Sequence, residues 1–167
     1  MTDGPKSPIR PTDADAIDLA LRLIADARFA ALGVMDPDSG YPMVSRVAVA
    51  PDGSGGLFTL ISDLSHHTRA LTNDPRCSVL VGEPGAKGDP LTHPRLTLLA
   101  DAGFVGRDAA AFLGMRDVYL AANPKAKLYI DFLDFRFVRF DVVSAQLNGG
   151  FGKAYVLTPA DLARATP

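Results

Sequence analysis

The chain of 167 residues lacks tryptophan and has a single cysteine, Cys77. One cysteine cannot form an intramolecular disulfide, so a hydrophobic core rather than covalent cross-links must hold the fold. The thiol lies in an apolar run that ends at Val81, where a buried and inert side chain is expected. These features favour a cytoplasmic protein.

The chain also lacks an excess of positive charge and any long apolar run. Its 17 Lys and Arg residues are balanced by 19 Asp and Glu residues, for a formal net charge of -2. Such a chain has no positive field to attract a polyanion, so nucleic-acid binding is not expected. Its apolar runs fall short of the ~20 residues that span a bilayer, and the N-terminus has no apolar signal segment. Neither a membrane partner nor export is predicted.

What the chain does contain is a hydrophobic share of 47%, enough for one globular domain with an ordinary core. Residues 1–11 include three prolines and a glycine and are predicted to form a flexible arm. Residues 12–167 show no internal repeat and no sign of a second domain, so we predict a single domain.

Hydrophobic periodicity predicts helices outside a run of short strands. Helices are expected at residues 14–27 after a cap at Thr12 or Asp13, at 65–73, from a cap at Asp108 to the Asn123-Pro124 stop, and at 159–164. Strands are expected at 29–35, 42–50, 57–61, 76–82, 95–104 and 135–143, with a short final strand at 145–147. About six strands with helices outside them predict a mainly β protein with flanking α-helices, closed into a barrel because closure removes exposed strand edges.

The segment from Ser62 to Arg76 joins a predicted strand to a short helix and has the features of an anion site. Ser62 and Ser65 lie near the helix start, where unpaired backbone N–H groups and the helix dipole favour an anion. Thr68 and Arg69 follow in the first turns. A phosphate would fit this junction.

Arg46 lies on the neighbouring strand, where alternation points it away from Val47 and Val49 and places a guanidinium on an apolar face. Arginine suits forked contact with phosphate oxygens. A structural ion pair with an aspartate is an equal alternative, and the spacing leaves both open.

Together these segments resemble the flavin-binding signature of the pyridoxamine 5′-phosphate oxidase-like split barrels, and within that family the branch of HugZ-type heme-degrading proteins. The matching stretches are Arg46-Val47, Ser62-Asp-Leu-Ser-His-His-Thr-Arg69, Asn73-Asp-Pro-Arg76, Gly82-Glu-Pro-Gly85, Gly88-Asp-Pro90, His93-Pro-Arg-Leu-Thr97 and Asn148-Gly-Gly-Phe-Gly152. The resemblance covers residues 14–154. It implies a six-stranded antiparallel split β-barrel that binds flavin mononucleotide (FMN).

The resemblance also implies a homodimer with FMN held between the subunits. By matching position, the residues that would hold the phosphate are Arg46, Ser62, His67, Thr68 and Arg69. Val47 follows Arg46 in the signature and is included among the cofactor-binding residues. Arg95 would lie near the flavin ring or its ribityl chain. His67 stands where classical members carry lysine, so a hydrogen bond to phosphate would replace a permanent charge.

The chain departs from these relatives at three points. Gln146 stands where heme-degrading relatives are expected to carry a histidine iron ligand. Longer relatives extend into an additional C-terminal domain, whereas here only a short helix at 159–164 is expected. The absence of tryptophan removes the C-terminal tryptophan and arginine pattern of true pyridoxamine phosphate oxidases, so vitamin synthesis is not predicted.

Three functions remain as hypotheses: an FMN-dependent oxidoreductase with an unknown small-molecule substrate and electron donor, a heme-binding or heme-degrading protein, and a non-catalytic flavin carrier or sensor. No catalytic side chain is assigned, because the flavin ring would carry the electrons. No metal site is predicted, since the adjacent His66 and His67 point different ways on a helix and no ligand cluster accompanies them.

Overall fold

The computed structural model describes residues 8–163. The helices in that range are α1 (Ala14–Asp26), α2 (His66–Asn73), α3 (Phe112–Ala122) and α4 (Pro159–Leu162). The strands are β1 (Phe29–Met35), β2 (Pro42–Pro51), β3 (Leu57–Ser62), β4 (Arg76–Val81), β5 (Arg95–Val105), β6 (Phe135–Asn148) and β7 (Ala154–Leu157). Short 3-10 turns lie at Pro90–Thr92 and Pro124–Leu128.

Six strands close into a barrel in the order β3-β2-β1-β4-β5-β6, and every pairing is antiparallel. The ring closes where β3 pairs with β6, from Phe58 opposite Arg139 to Ser62 opposite Phe135. β7 lies outside the ring on the far half of β6, with Ala145 opposite Leu157. The predicted six-stranded antiparallel split barrel with flanking helices is confirmed.

The prediction of separate strands at 135–143 and 145–147 is wrong, because β6 runs without a break through both. Leu99 lies opposite Ser144 and Ala100 opposite Val142, which leaves Val143 as the extra residue of a β-bulge. The inward side chains therefore change from even positions such as Val142 to odd positions such as Ala145. In the sequence, this change from even to odd inward positions looks like the end of one strand and the start of another.

Three other features differ from, or extend, the predictions. β7 is not among the predicted strands, because its four residues depend on pairing with β6 rather than on a sequence pattern of their own. Asp108 does not cap α3, since Ala111 occupies the cap position without a side-chain hydrogen bond. The predicted C-terminal helix is present as α4 with a capping box between Thr158 and Asp161, while Arg164 lies outside the described residues.

Two hydrophobic clusters lie on either side of the barrel wall. The inner cluster fills the barrel and includes the buried face of α1. The outer cluster packs α3 and the second 3-10 turn against the outside of the wall. Its centre is the ring of Phe137, whose centroid lies 5.2–5.6 Å from those of Phe58, Phe112 and Tyr119. This outer cluster fixes α3 beside the end of the barrel where β3 meets β6.

Only part of the predicted N-terminal arm is described. Ile9 forms a bridge with Ala154, and the backbone N–H of Arg10 donates to the carbonyl of Ala154 at 2.8 Å. Residues 1–7 of the arm lie outside the described range. Within residues 8–163, no helix is long and apolar enough to cross a membrane.

Phe137→Ala should lower the free energy of unfolding by about 3–5 kcal/mol, because it removes a ring with no exposed surface and leaves a cavity. Urea unfolding followed by circular dichroism measures the change. Leu113→Ala is the matched control, since this α3 side chain is 72% exposed, and its effect should stay within about 0.5 kcal/mol. Equal losses in the two variants would contradict the central place of Phe137.

Candidate functional site

A cleft of about 220 Å³ opens where β2, the end of β3 and the start of α2 meet the outer cluster. We call it the Arg46 cleft. Its polar lining comes from Arg46, Ser62, Ser65 and His67, and its aromatic lining from Tyr119, Tyr129 and Phe135. Backbone and apolar groups of β2 and β3, including Val47, complete the wall.

The start of α2 brings donors to this cleft. Ser65 is the N-cap residue, yet its hydroxyl makes no capping hydrogen bond. The first-turn N–H groups of a helix have no partner inside the helix and carry its positive dipole end. The junction predicted from the sequence therefore presents both a hydroxyl and backbone donors beside the cleft.

Arg46 lies on the outward face of β2, with its guanidinium carbon 5.3 Å from the centroid of the Phe29 ring. No carboxylate in residues 8–163 forms an ion pair with it. Of the two alternatives that the sequence left open, the structural ion pair is not found in the described range. The cleft thus has a permanent positive charge on its rim.

His67 has one ring nitrogen engaged and one without a partner. Nδ1 lies 3.1 Å from the hydroxyl oxygen of Ser45, whereas Nε2 is buried and has no hydrogen-bond partner among residues 8–163. Burial, and then repulsion from His66, lower the pKa of His67 below its usual value. The ring is therefore neutral at pH 7, and it belongs to a residue that lines the cleft.

Ser62 and Thr68 shape the turn between β3 and α2. The Ser62 hydroxyl donates to Oδ2 of Asp134 at 2.5 Å and accepts from the N–H of Leu64 at 3.1 Å. The buried Thr68 hydroxyl donates to the Ser62 carbonyl at 2.6 Å. Both hydroxyls are thus committed inside the protein, and Thr68 supports the wall without lining the cleft.

Two predicted arginines lie elsewhere in the protomer. Arg69 pairs with Asp38 and faces a separate groove beside Arg136. Arg95 begins β5 opposite Asn148, at the far end of β6 from the cleft, and its guanidinium donates to the carbonyl of Leu91 at 3.0 Å. The structure therefore brings Arg46, Val47, Ser62 and His67 together, but not Arg69 or Arg95.

The aromatic wall was missed by sequence reasoning. The ring centroids of Tyr129 and Phe135 lie 5.0 Å apart, and the buried Tyr119 hydroxyl donates to the carbonyl of Ala48 at 3.4 Å. Burial raises the pKa of Tyr119, so it stays protonated. No local sequence pattern reports this wall, because it depends on the pairing of Ser62 with Phe135, which places the start of β6 beside the helix junction.

His66 takes part in a polar cluster outside the cleft. Its Nε2 lies 2.8 Å from a carboxylate oxygen of Asp36, and its Nδ1 lies 3.4 Å from the guanidinium of Arg69. Hydrogen bonds from Ser39 and His66 hold the pKa of Asp36 well below its usual range. One side-chain oxygen or nitrogen from each of Asp36, Asp38 and His66 lies within 4.8 Å of the other two. These groups hydrogen-bond to one another, so we interpret the cluster as a clamp between the β1–β2 turn and α2.

Comparison with known proteins gives a family match. A family model described as CREG, beta-barrel, matches residues 11–162. The non-canonical heme oxygenase HOZ, chloroplastic, of Arabidopsis thaliana is 37% identical over 120 residues, which are 70% of this chain and 35% of HOZ. The chain thus spans about a third of the length of this curated relative.

Solved structures give matching folds. A heme binding protein from Mycobacterium smegmatis superposes with a TM-score of 0.82 at 30% identity, over 93% of this chain and 61% of that one. A protein from Clostridium acetobutylicum, related to general stress protein 26 and of the pyridoxinephosphate oxidase family, superposes with a TM-score of 0.68 at 12% identity, over 90% of this chain and 99% of that one. The second match shows a shared fold alone.

Acidification below pH 6.5 should weaken the folded state through His67. The unfolded chain takes up a proton on this ring at its ordinary pKa of 6.5, whereas the folded pKa is lower, so the free energy of unfolding falls as the pH drops. His67→Gln keeps an amide near the position of Nε2 and removes the titration. Urea unfolding between pH 5 and pH 8 should show a shallower dependence in this variant. Identical slopes would contradict the buried, neutral ring, since all other titrating groups are shared.

Proposed function

The chain belongs to the CREG β-barrel family, and on that premise we propose that it binds FMN with the phosphate in the Arg46 cleft and acts as a flavin-dependent oxidoreductase. One observation carries the proposal. Within the part of the chain that the structure describes, Nε2 of His67 is buried without a hydrogen-bond partner, and Arg46, which lines the same cleft, has no ion-pair partner. An unsatisfied buried polar atom is costly, and a phosphate oxygen would satisfy it.

The residues of the cleft fit a phosphate group. Arg46 would supply a permanent charge, Ser65 a free hydroxyl and the start of α2 its unpaired N–H groups. Charge-assisted hydrogen bonds of this kind contribute about 1.5–3 kcal/mol each. Two or three of them would supply a large part of the affinity for the ligand through its phosphate.

The size of the cleft suggests that the flavin ring lies against a second subunit. About 220 Å³ is less than the roughly 300–1,000 Å³ of pockets that hold whole drug-sized ligands. The phosphate and part of the ribityl chain would occupy the cleft, and the flat ring would extend along the outer face of the barrel. We therefore propose a homodimer.

The outer face of the sheet has the character of such an interface. It exposes large apolar side chains, which include Met35, Val44, Leu80, Leu99 and Val143. Contiguous apolar patches of this kind mark association surfaces. Alternation puts Arg46 on the same face of β2 as Val44, and Arg95 on the same face of β5 as Leu99. A second copy seated here would cover the ring and could bring its own Arg95 to it.

The chain's own residues would bind and orient the cofactor rather than react. FMN, when bound, supplies hydride and single-electron transfer between a donor and a small-molecule acceptor. The aromatic wall of Tyr119, Tyr129 and Phe135 would exclude water from the inner side of the cleft. With its hydroxyl protonated and bonded to the Ala48 carbonyl, Tyr119 would be a structural wall.

Heme is the second candidate, favoured by two relatives, the heme oxygenase HOZ and the heme binding protein of Mycobacterium smegmatis. Heme propionates are carboxylates that could pair with Arg46. Two of the three histidines are engaged elsewhere: both ring nitrogens of His93 contact the Gly85 N–H and the Lys87 carbonyl, and those of His66 contact Asp36 and Arg69. Gln146 lies on the exposed side of β6. His67 differs from the other two histidines, because its Nε2 has no hydrogen-bond partner among the described residues and its neutral ring would serve as an iron ligand. The side chains therefore fit either cofactor, whereas the relatives favour heme.

Absorption spectra after separate incubation with FMN and with hemin, followed by removal of unbound cofactor, test the proposal. Retained flavin bands support it, and Arg46→Ala should then weaken FMN affinity tenfold or more by the loss of charge-assisted bonds, on the order of 1.5–3 kcal/mol each. Arg139→Ala is the matched control, because Arg139 is exposed on β6 away from the cleft, and its affinity should not change. A shifted Soret band without flavin retention would support heme instead, and retention of neither would overturn the proposal.

Val44→Asp should convert the proposed dimer to monomers, because it places a charge in the centre of the exposed apolar face, where Val44 is 69% exposed. Sedimentation velocity at micromolar protein, with and without FMN, measures the change. Leu113→Asp, on an equally exposed α3 side chain outside this face, should leave the association state unchanged. A wild-type chain that is monomeric under both conditions would refute the dimer.

A further inference from the structure

Ser45 and His67 form a polar contact between β2 and α2. The hydroxyl oxygen of Ser45 lies 3.1 Å from Nδ1 of His67, and both side chains are half-buried. A neutral imidazole carries its proton on one nitrogen only, and the group that contacts the other nitrogen determines which one. The contact therefore bears on what Nε2 presents to the Arg46 cleft.

The geometry indicates the direction of this hydrogen bond. A serine hydroxyl has one proton to donate, and in residues 8–163 the only hydrogen-bond partner found for that of Ser45 is Nδ1 of His67. Donation to Nδ1 leaves the ring proton on Nε2. The opposite arrangement would leave the serine proton without an acceptor among the described residues.

We propose that Ser45 is a positioning residue that holds the proton of His67 on Nε2, so that the ring presents a neutral N–H donor to the anionic group bound beside Arg46. The proposal rests on the proposed function, since it concerns the same cleft. It assigns to β2 two neighbouring roles: Arg46 contributes the charge, and Ser45 on the opposite face sets the proton of the histidine.

The proposed arrangement also couples binding to protons. The ionisable groups that face His67 are Arg46 from β2, His66 from α2, and Tyr119 and Tyr129 from the α3 side of the cleft. Burial and His66 keep the free ring neutral, whereas a bound anion at Nε2 would favour the charged ring. The serine hydroxyl can then rotate from donor to acceptor at Nδ1, since a hydroxyl serves both roles. Anion binding should therefore be accompanied by proton uptake as the pH falls.

The tautomer is measured directly on the ligand-free chain by nitrogen-15 correlation spectroscopy of the histidine rings at pH 8. We expect the ring of His67 to carry its proton on Nε2 in the wild type and to become a mixture of tautomers in Ser45→Ala. A wild-type ring protonated on Nδ1 would overturn the proposal without any variant being needed.

FMN affinity provides the second measurement. Ser45→Ala should bind FMN roughly two- to tenfold more weakly, the range of one neutral hydrogen bond, and Ser45→Thr should restore affinity because it keeps the hydroxyl. Between pH 8 and pH 6, the affinity of the wild type should rise relative to that of His67→Gln, in which the phosphate titrates but the side chain does not. A constant ratio, or an unchanged Ser45→Ala, would contradict the role of Ser45.

The two proposals fail separately. Suppose that the wild type binds FMN, that Arg46→Ala no longer does, and that the wild-type His67 ring carries its proton on Nδ1. In that case only the positioning role of Ser45 is wrong. If FMN does not bind at all, the proposed function is wrong, and the ligand-free spectrum still decides whether Ser45 sets the tautomer of His67.

Discussion

The pairing of β3 with β6 closes the barrel, and the Arg46 cleft exists because of it. Ser62 and Phe135 are opposite each other at the end of this ladder, so the last residue of β3 and the first residue of β6 face the start of α2. The Ser62 hydroxyl then bonds to Asp134, and the Asp63 N–H donates to the Asp134 carbonyl at 2.7 Å. Without closure, the aromatic and polar halves of the cleft would have no reason to meet.

The cleft combines a well-packed wall with unsatisfied polar groups. Tyr119 is fully buried against Phe58 and Phe137, whereas Nε2 of His67 on the other side has no partner. Packing on one side fixes the geometry, and the missing hydrogen bond on the other side leaves free energy to be gained on binding. Such local departures from full satisfaction are expected where a protein binds a ligand.

Much of the architecture was predictable from sequence, because it rests on local signals. Alternating apolar residues and the turn at Asp36 to Gly40 give β1 and β2, and the resemblance to split barrels gives closure. The bulge at Val143 and the short β7 were not predictable, since a bulge changes the alternation and a four-residue strand depends on its neighbour. In the site, Arg46 is predicted from the strand pattern, whereas His67 is predicted only from the resemblance to split barrels. Arg69 was assigned to the phosphate, yet in the protomer its charge is taken by Asp38, a long-range contact that no local pattern reports.

The bulge at Val143 has an evolutionary consequence. Val143 has no partner on β5, since Leu99 pairs with Ser144 and Ala100 with Val142, so loss of Val143 would leave every inward residue of β6 inward. Burial alone therefore does not select against that deletion. What would be lost is the extra bend between the half of β6 that pairs with β3 and the half that pairs with β7. If members of this family keep an extra residue at this position, selection acts on the curvature of the barrel wall rather than on its hydrophobicity. Members that lack the residue would then have barrels that close at a different angle.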